Sequence, residues 1–199
     1  MLCYTDPRKR EVYTMTGMVL RPPERHTRPL RQEPLIFLAG PIQGAPDWQA
    51  TAIGWLQKHH PLLHIASPRS LMWETSLFPE ERERLFDIQQ EWEHDYIDYA
   101  LDRGVVLFWL AKEAVHHCDR AYAQTSRFEL GFALGNALVR QRAGFKRLAP
   151  VRVAVGADKD FSNRNYLTKT MSKRFGLPMH ATLEDTLEAA VDIVDACMN

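Results

Sequence analysis

Six consecutive apolar residues, Val105 to Leu110, entered directly from Gly104, constrain this chain more than any other feature. A strand with one wet face alternates polar and apolar residues, so an unbroken run of this length reads as a strand covered on both faces. A second run, Leu35-Ile36-Phe37-Leu38-Ala39, has the same character and is closed by Gly40-Pro41. Shorter strand signals stand at Leu62 to Ala66, Val151 to Val155 and Pro178 to Ala181, and Val12 to Leu20 holds a further short one. Helical patterns lie between them. Asp47 is placed to cap a helix carrying Trp48, Ala52, Ile53, Trp55 and Leu56. A longer pattern runs through Leu85, Ile88, Trp92, Tyr96 and Tyr99 and ends at Gly104. Others cover residues 126–142, 163–175 and 183–197. Strands alternating with helices predict an α/β three-layer sandwich, with a mostly parallel sheet of about five strands and helices on both faces. Ligands of such folds bind at the carboxyl ends of the strands, so the loops after Ala39, Leu110 and Val155 are expected to converge.

Composition narrows the partners. Lys and Arg number 25, as do Asp and Glu, which leaves no global field for a nucleic-acid polymer or an anionic membrane. No apolar run approaches the ~20 residues of a membrane-spanning helix. Cys3, Cys118 and Cys197 are far apart and lack paired spacing, so neither a disulfide framework nor a metal site is expected, and a reducing, cytoplasmic location fits. Residues 1–33 are rich in Arg and Pro and read as a basic N-terminal extension, with one domain over 34–199.

Three features fall at the expected functional edge. Gly40-Pro41-Ile42-Gln43-Gly44 follows the first strong strand and serves equally as a turn or as a ligand contact. Glu91, Asp95, Asp98 and Asp102, spaced four, three and four, share one helix face. A solvated face explains them, yet carboxylates near a helix C-terminus oppose its dipole, and Asp95 sits mid-helix where a cleft is within reach. Ser126-Arg127-Phe128-Glu129-Leu130-Gly131 follows the Val105 to Leu110 strand. The three-residue separation of Ser126 and Glu129 also suits a capping box, so spacing alone makes Glu129 a candidate and no more. His116 and His117 have no third ligand at a metal-site spacing.

Taken in order, Leu35 to Ile42 followed by Trp48, Trp92-Glu93 ahead of Phe108-Trp109, and Phe128-Glu129-Leu130-Gly131-Phe132-Ala133 resemble the nucleoside 2-deoxyribosyltransferase-like family over about residues 34–190. The resemblance implies a flavodoxin-like fold without a cofactor. It also implies a nucleophilic Glu129 that attacks C1′ of a deoxynucleoside, expels the base and forms a glycosyl-enzyme ester, which a second base or water resolves with retention. Retaining glycosyl transfer needs a second carboxyl for the proton of the leaving base, and Asp95 is the expected one, with Asp98 the neighbouring choice. Gly40 and Pro41 are expected to approach the sugar or base by backbone. Gln43 or Trp48 is expected to bond or stack with the base, and an amide such as Asn163 or Asn165 to complete a site across a homo-oligomer (dimer or higher).

The Arg-rich start and the long 112–125 loop depart from the transferase core. Ser126 and Arg127 stand where a phosphate would meet a helix N-terminus, so hydrolysis of a nucleoside 5′-monophosphate is the alternative chemistry. A non-catalytic nucleotide sensor on the same fold, and an interaction protein with a chance Glu-Leu-Gly, are the readings outside enzymology.

Overall fold

A computed structural model describes residues 3–5, 12–14, 16–25, 33–70, 78–142 and 151–198. Its centre is a five-stranded, all-parallel sheet with helices on both faces, a flavodoxin-like three-layer arrangement. In chain order the strands are β1 (Cys3–Thr5), β2 (Val12–Thr14), β3 (Val19–Leu20), β4 (Leu35–Ala39), β5 (His64–Ala66), β6 (Val105–Leu110) and β7 (Val153–Ala157). The helices are α1 (Trp48–His59), α2 (Pro79–Arg103), α3 (Gln124–Arg142), α4 (Arg164–Thr170), which runs on into one π-helical turn, and α5 (Leu183–Met198). β1 and β2 form a separate antiparallel pair.

The two apolar runs are the central strands because both of their faces are covered. Leu35, Phe37 and Ala39 of β4 and Val106, Phe108 and Leu110 of β6 point into a core shared with α2 and α3. Ile36, Leu38, Val105, Leu107 and Trp109 point the other way, against α1 and α5. Asp47 caps α1 as its spacing suggests, accepting from the Ala50 amide at 3.1 Å, and Gly104 closes α2.

The spatial order is β3-β5-β4-β6-β7. From β4 the chain crosses to β5 on one side, and from β6 to β7 on the other. The crevice between β4 and β6 is therefore the topological switch point, where ligands bind in sheets of this kind.

Two strand expectations change. The fifth strand is Val19–Leu20, parallel to β5 at the sheet edge, and it comes from the segment read as an extension. Pro178 to Ala181 contributes a single bridge, His180 beside Gly156, because the chain meets β7 there for only one residue before α5 begins. The acidic stripe Glu91, Asp95, Asp98 and Asp102 is exposed on α2, as the solvated-face reading holds. Arg25 meets two of its members, Asp95 by hydrogen bond and Glu91 at 3.8 Å, and Trp92 Nε1 donates to the Glu24 carbonyl at 2.8 Å. Glu24 and Arg25 thus lie against α2. Among the described residues, no helix is long and apolar enough to cross a membrane.

Candidate active site

The loop after β4 is shaped by backbone contacts. Gly40 has φ +148°, and a Cβ there would stand 2.3 Å from the Trp109 carbonyl oxygen and 2.9 Å from the Trp48 ring, so only glycine lets the chain turn this close to β6. Trp48 is buried, and its Nε1 donates to the Pro41 carbonyl at 2.9 Å. Its ring and its N–H are thus both engaged in holding the turn. Arg69, from the loop after β5, braces the same turn from beneath: it donates to Gln49 Oε1 at 3.2 Å and to the Ile42 carbonyl at 3.3 Å, and pairs with Asp47.

The three loops converge as the topology requires. The Gly44 carbonyl accepts from the amides of Ala114 and Val115 at 2.7 and 3.0 Å, and Arg120 donates to the exposed Gln43 side chain, so the 112–125 loop is fastened onto the loop after β4. Gly44, at φ +75°, leaves room for Val115, whose carbonyl oxygen would be 2.6 Å from a Cβ. Tyr122 ties the far end of that loop down by donating to the Ala111 carbonyl at 2.8 Å, its ring 6.2 Å from that of Phe161 in the loop after β7. Burial, reinforced by Glu113 and Asp158, holds the Tyr122 phenol well above its usual range, so it stays a neutral donor. Ala123 takes a left-handed φ of 56° and sets the start of α3. On α3 itself, Arg127 reaches the Ser162 hydroxyl at 2.5 Å and lies 5.1 Å from the centre of the Phe161 ring.

α3 begins at Gln124, three residues earlier than a Ser126 cap would need, so Ser126 is a buried residue inside the helix and the capping-box explanation of Glu129 falls away. Glu129 is half-buried on the flank of α3 towards α2, and no donor among the described residues meets its carboxyl. Burial first, and the Glu93 carboxylate second, push its pKa from 4.5 up to about 7. Glu93, on α2, is itself raised, by burial foremost, although a 2.7 Å hydrogen bond from Gln89 and the charge of His94 oppose the shift. The Glu93 charge thus adds to burial in disfavouring the ionised form of Glu129, which keeps its proton up to about pH 7.

Of the residues expected here, Gly40, Pro41, Gln43 and Glu129 stand on the loops and helix that bound the crevice. Asp95 and Asp98 stand on the exposed face of α2, Asp95 held by Arg25, while Asn165 is exposed on α4 and Asn163, at φ 63°, precedes that helix. The carboxylate whose charge acts on Glu129 is Glu93, to which the sequence reading gave no role. The signal was there: Glu93, Tyr96, Ile97 and Ala100 recur at i, i+3, i+4 and i+7, which places a carboxylate in the middle of the buried face of α2. Among the described residues, no group of three or more His, Cys, Asp or Glu side chains is gathered to hold a metal ion.

A search among curated proteins returns no match. The family model described as nucleoside 2-deoxyribosyltransferase like matches residues 33–142, more than half of the 199 residues, and spans the crevice, both of its walls and the Glu93–Glu129 pair. By that match, the chain belongs to the nucleoside 2-deoxyribosyltransferase-like family.

Proposed function

We propose that this protein is an enzyme of N-glycosidic bond chemistry that moves a 2-deoxyribosyl group between nucleobases, with Glu129 as nucleophile and Glu93 as its acid–base partner. The observation that carries the reading is the half-buried Glu129 carboxyl, met by no donor among the described residues and raised in pKa by burial and by the charge of Glu93, on the helix beside the switch-point crevice. In the first step a Glu129 oxygen bonds to C1′ while the bond from C1′ to the base nitrogen breaks. The base leaves with that electron pair and takes the proton held by Glu93. In the second step the nitrogen of another base attacks C1′, Glu129 departs as carboxylate, and Glu93 recovers the proton from the incoming base. Two inversions give net retention. Glu93 replaces Asp95 in this scheme because Asp95 faces solvent and is paired with Arg25, whereas burial favours the protonated form of Glu93 that the leaving base requires.

Incubation with deoxyinosine and free adenine, followed by chromatography, should give deoxyadenosine and hypoxanthine. Intact-mass analysis of a quenched reaction should show a deoxyribosyl adduct that vanishes in Glu129→Gln. Free deoxyribose without exchange would replace transfer by hydrolysis. Full turnover by Glu129→Gln would refute the assignment of the nucleophile.

A further inference from the structure

Gln89 stands one helical turn before Glu93 on α2, and both are half-buried. The Gln89 side-chain nitrogen Nε2 donates to Glu93 Oε1 at 2.7 Å and to the Pro68 carbonyl at 3.3 Å. A backbone carbonyl can only accept, so the Pro68 contact fixes which end of the amide faces this way, and the nitrogen has one hydrogen for each of the two acceptors. Pro68 is a buried residue of the loop after β5, and the next residue, Arg69, is bonded to the Ile42 carbonyl in the loop after β4. The amide that meets Glu93 is therefore oriented by the same loops that shape the crevice. Glu93 Oε1 accepts its N–H in either protonation state, which leaves Oε2 to carry the carboxyl proton.

We propose that Gln89 is a positioning residue for the acid step: it keeps the Glu93 proton on Oε2 for the leaving base and stabilises the carboxylate that remains once the proton has gone. The proposal rests on the assignment of Glu93 as the acid. When the C1′ bond to the base breaks, the proton passes from Oε2 to the base nitrogen and its electron pair stays on Glu93. The bond from Gln89 then changes from a neutral hydrogen bond to a charge-assisted one, which is roughly twice as strong. An interaction that strengthens as the reaction proceeds lowers the barrier instead of merely tightening the ground state. Burial of Glu93 works against the new charge, while Gln89 and the charge of His94, its neighbour on α2, work for it. The Glu93 charge acts in turn on Glu129 of α3. His94 is exposed, whereas Gln89 is in direct contact and held at both ends.

With deoxyinosine as donor, Gln89→Met should lower kcat about 10- to 100-fold and leave KM within about twofold. With 4-nitrophenyl 2-deoxyriboside, whose phenolate departs unprotonated, kcat should change by less than about threefold. In the Glu93→Gln background the same substitution should cost nothing further, because Gln89 acts through Glu93. Loss of the donor also disfavours the Glu93 charge that presses on Glu129, so the acid limb of the kcat/KM profile should move to lower pH. Gln89→Asn keeps the amide but is too short for both acceptors; it should follow Gln89→Met, and it decides the matter if that variant does not fold. Equal losses with the two substrates, or unchanged kcat with deoxyinosine in a folded variant, overturn the proposal. Unchanged turnover of deoxyinosine by Glu93→Gln would instead overturn the acid assignment itself, and the role of Gln89 with it.

Discussion

At the scale of single residues, the proposed chemistry depends on two carboxyls whose charged forms are both disfavoured by burial. Raising the pH through about 7 removes the Glu129 proton and frees the carboxylate that attacks C1′. The pH profile of kcat/KM is therefore expected to rise on its acid side through that value. Glu93→Gln removes the acid and also the charge that helps raise Glu129. We expect kcat to drop by about 10²- to 10⁴-fold with natural deoxynucleosides, with a much smaller loss for a substrate whose base departs without protonation. Steady-state kinetics with the two substrate types over pH 5 to 9 checks this, and an equal loss for both would make Glu93 a merely structural residue. Glu129 was legible from its place in Phe128-Glu129-Leu130-Gly131 after the strongest strand. Glu93 was not, because the eye is drawn to the four evenly spaced carboxylates of α2, and regular spacing marks a shared face without saying whether that face is wet. The apolar residues at i+3, i+4 and i+7 from Glu93 carried the missing information.

At the scale of elements, α3 is aimed by what precedes it. The 112–125 loop is sewn to the loop after β4 through Gly44 and to Ala111, just beyond β6, through Tyr122, and it delivers the chain to α3 in the left-handed turn at Ala123. Gly44→Ala puts a Cβ against the Val115 carbonyl at a positive φ and should cost about 1–2 kcal/mol, seen as a lower denaturant midpoint. Activity should fall with it as the loop loosens over the crevice, and an unchanged midpoint would show that the two loops are not fastened there. The long elements were readable because burial writes itself locally, as the runs of β4 and β6 and the periodicity of α2 and α5. β3 was legible only as part of one short strand within Val12 to Leu20, since two residues set no bounds of their own and Val19–Leu20 joins the sheet because β5 lies alongside. The strand expected at 178–181 failed for the related reason that apolar residues become a strand only for as long as a neighbour runs parallel to them.

At the scale of the whole molecule, the site has a measurable effect on folding. The folded pKa of Glu129 lies above its unfolded value, so the protonated carboxyl's contribution is fully present below about pH 4.5 and is lost as pH rises through about 7. Glu93 shifts in the same direction. Relative to Glu129→Gln, the unsubstituted protein should therefore lose about 2 kcal/mol of stability between pH 4.5 and 7.5, after allowance for partial solvation of the carboxyl. Paired thermal melts at those two pH values measure the difference, and a constant gap in Tm would mean that Glu129 titrates normally.

The family's span, residues 33–142, contains β4, β5 and β6 but neither outer strand, since β3 precedes it and β7 follows it. A polypeptide trimmed to that span would keep the whole reactive pair and bare both margins of its sheet. The amides of Ile65 and Ser67, which now donate to the carbonyls of Met18 and Leu20, would face water or another molecule's backbone, and β6 would lose its ladder to β7. Unprotected margins recruit strands from other chains. The segments that flank the shared span thus act as its hem: they keep a short, fully apolar sheet from stitching itself to its neighbours.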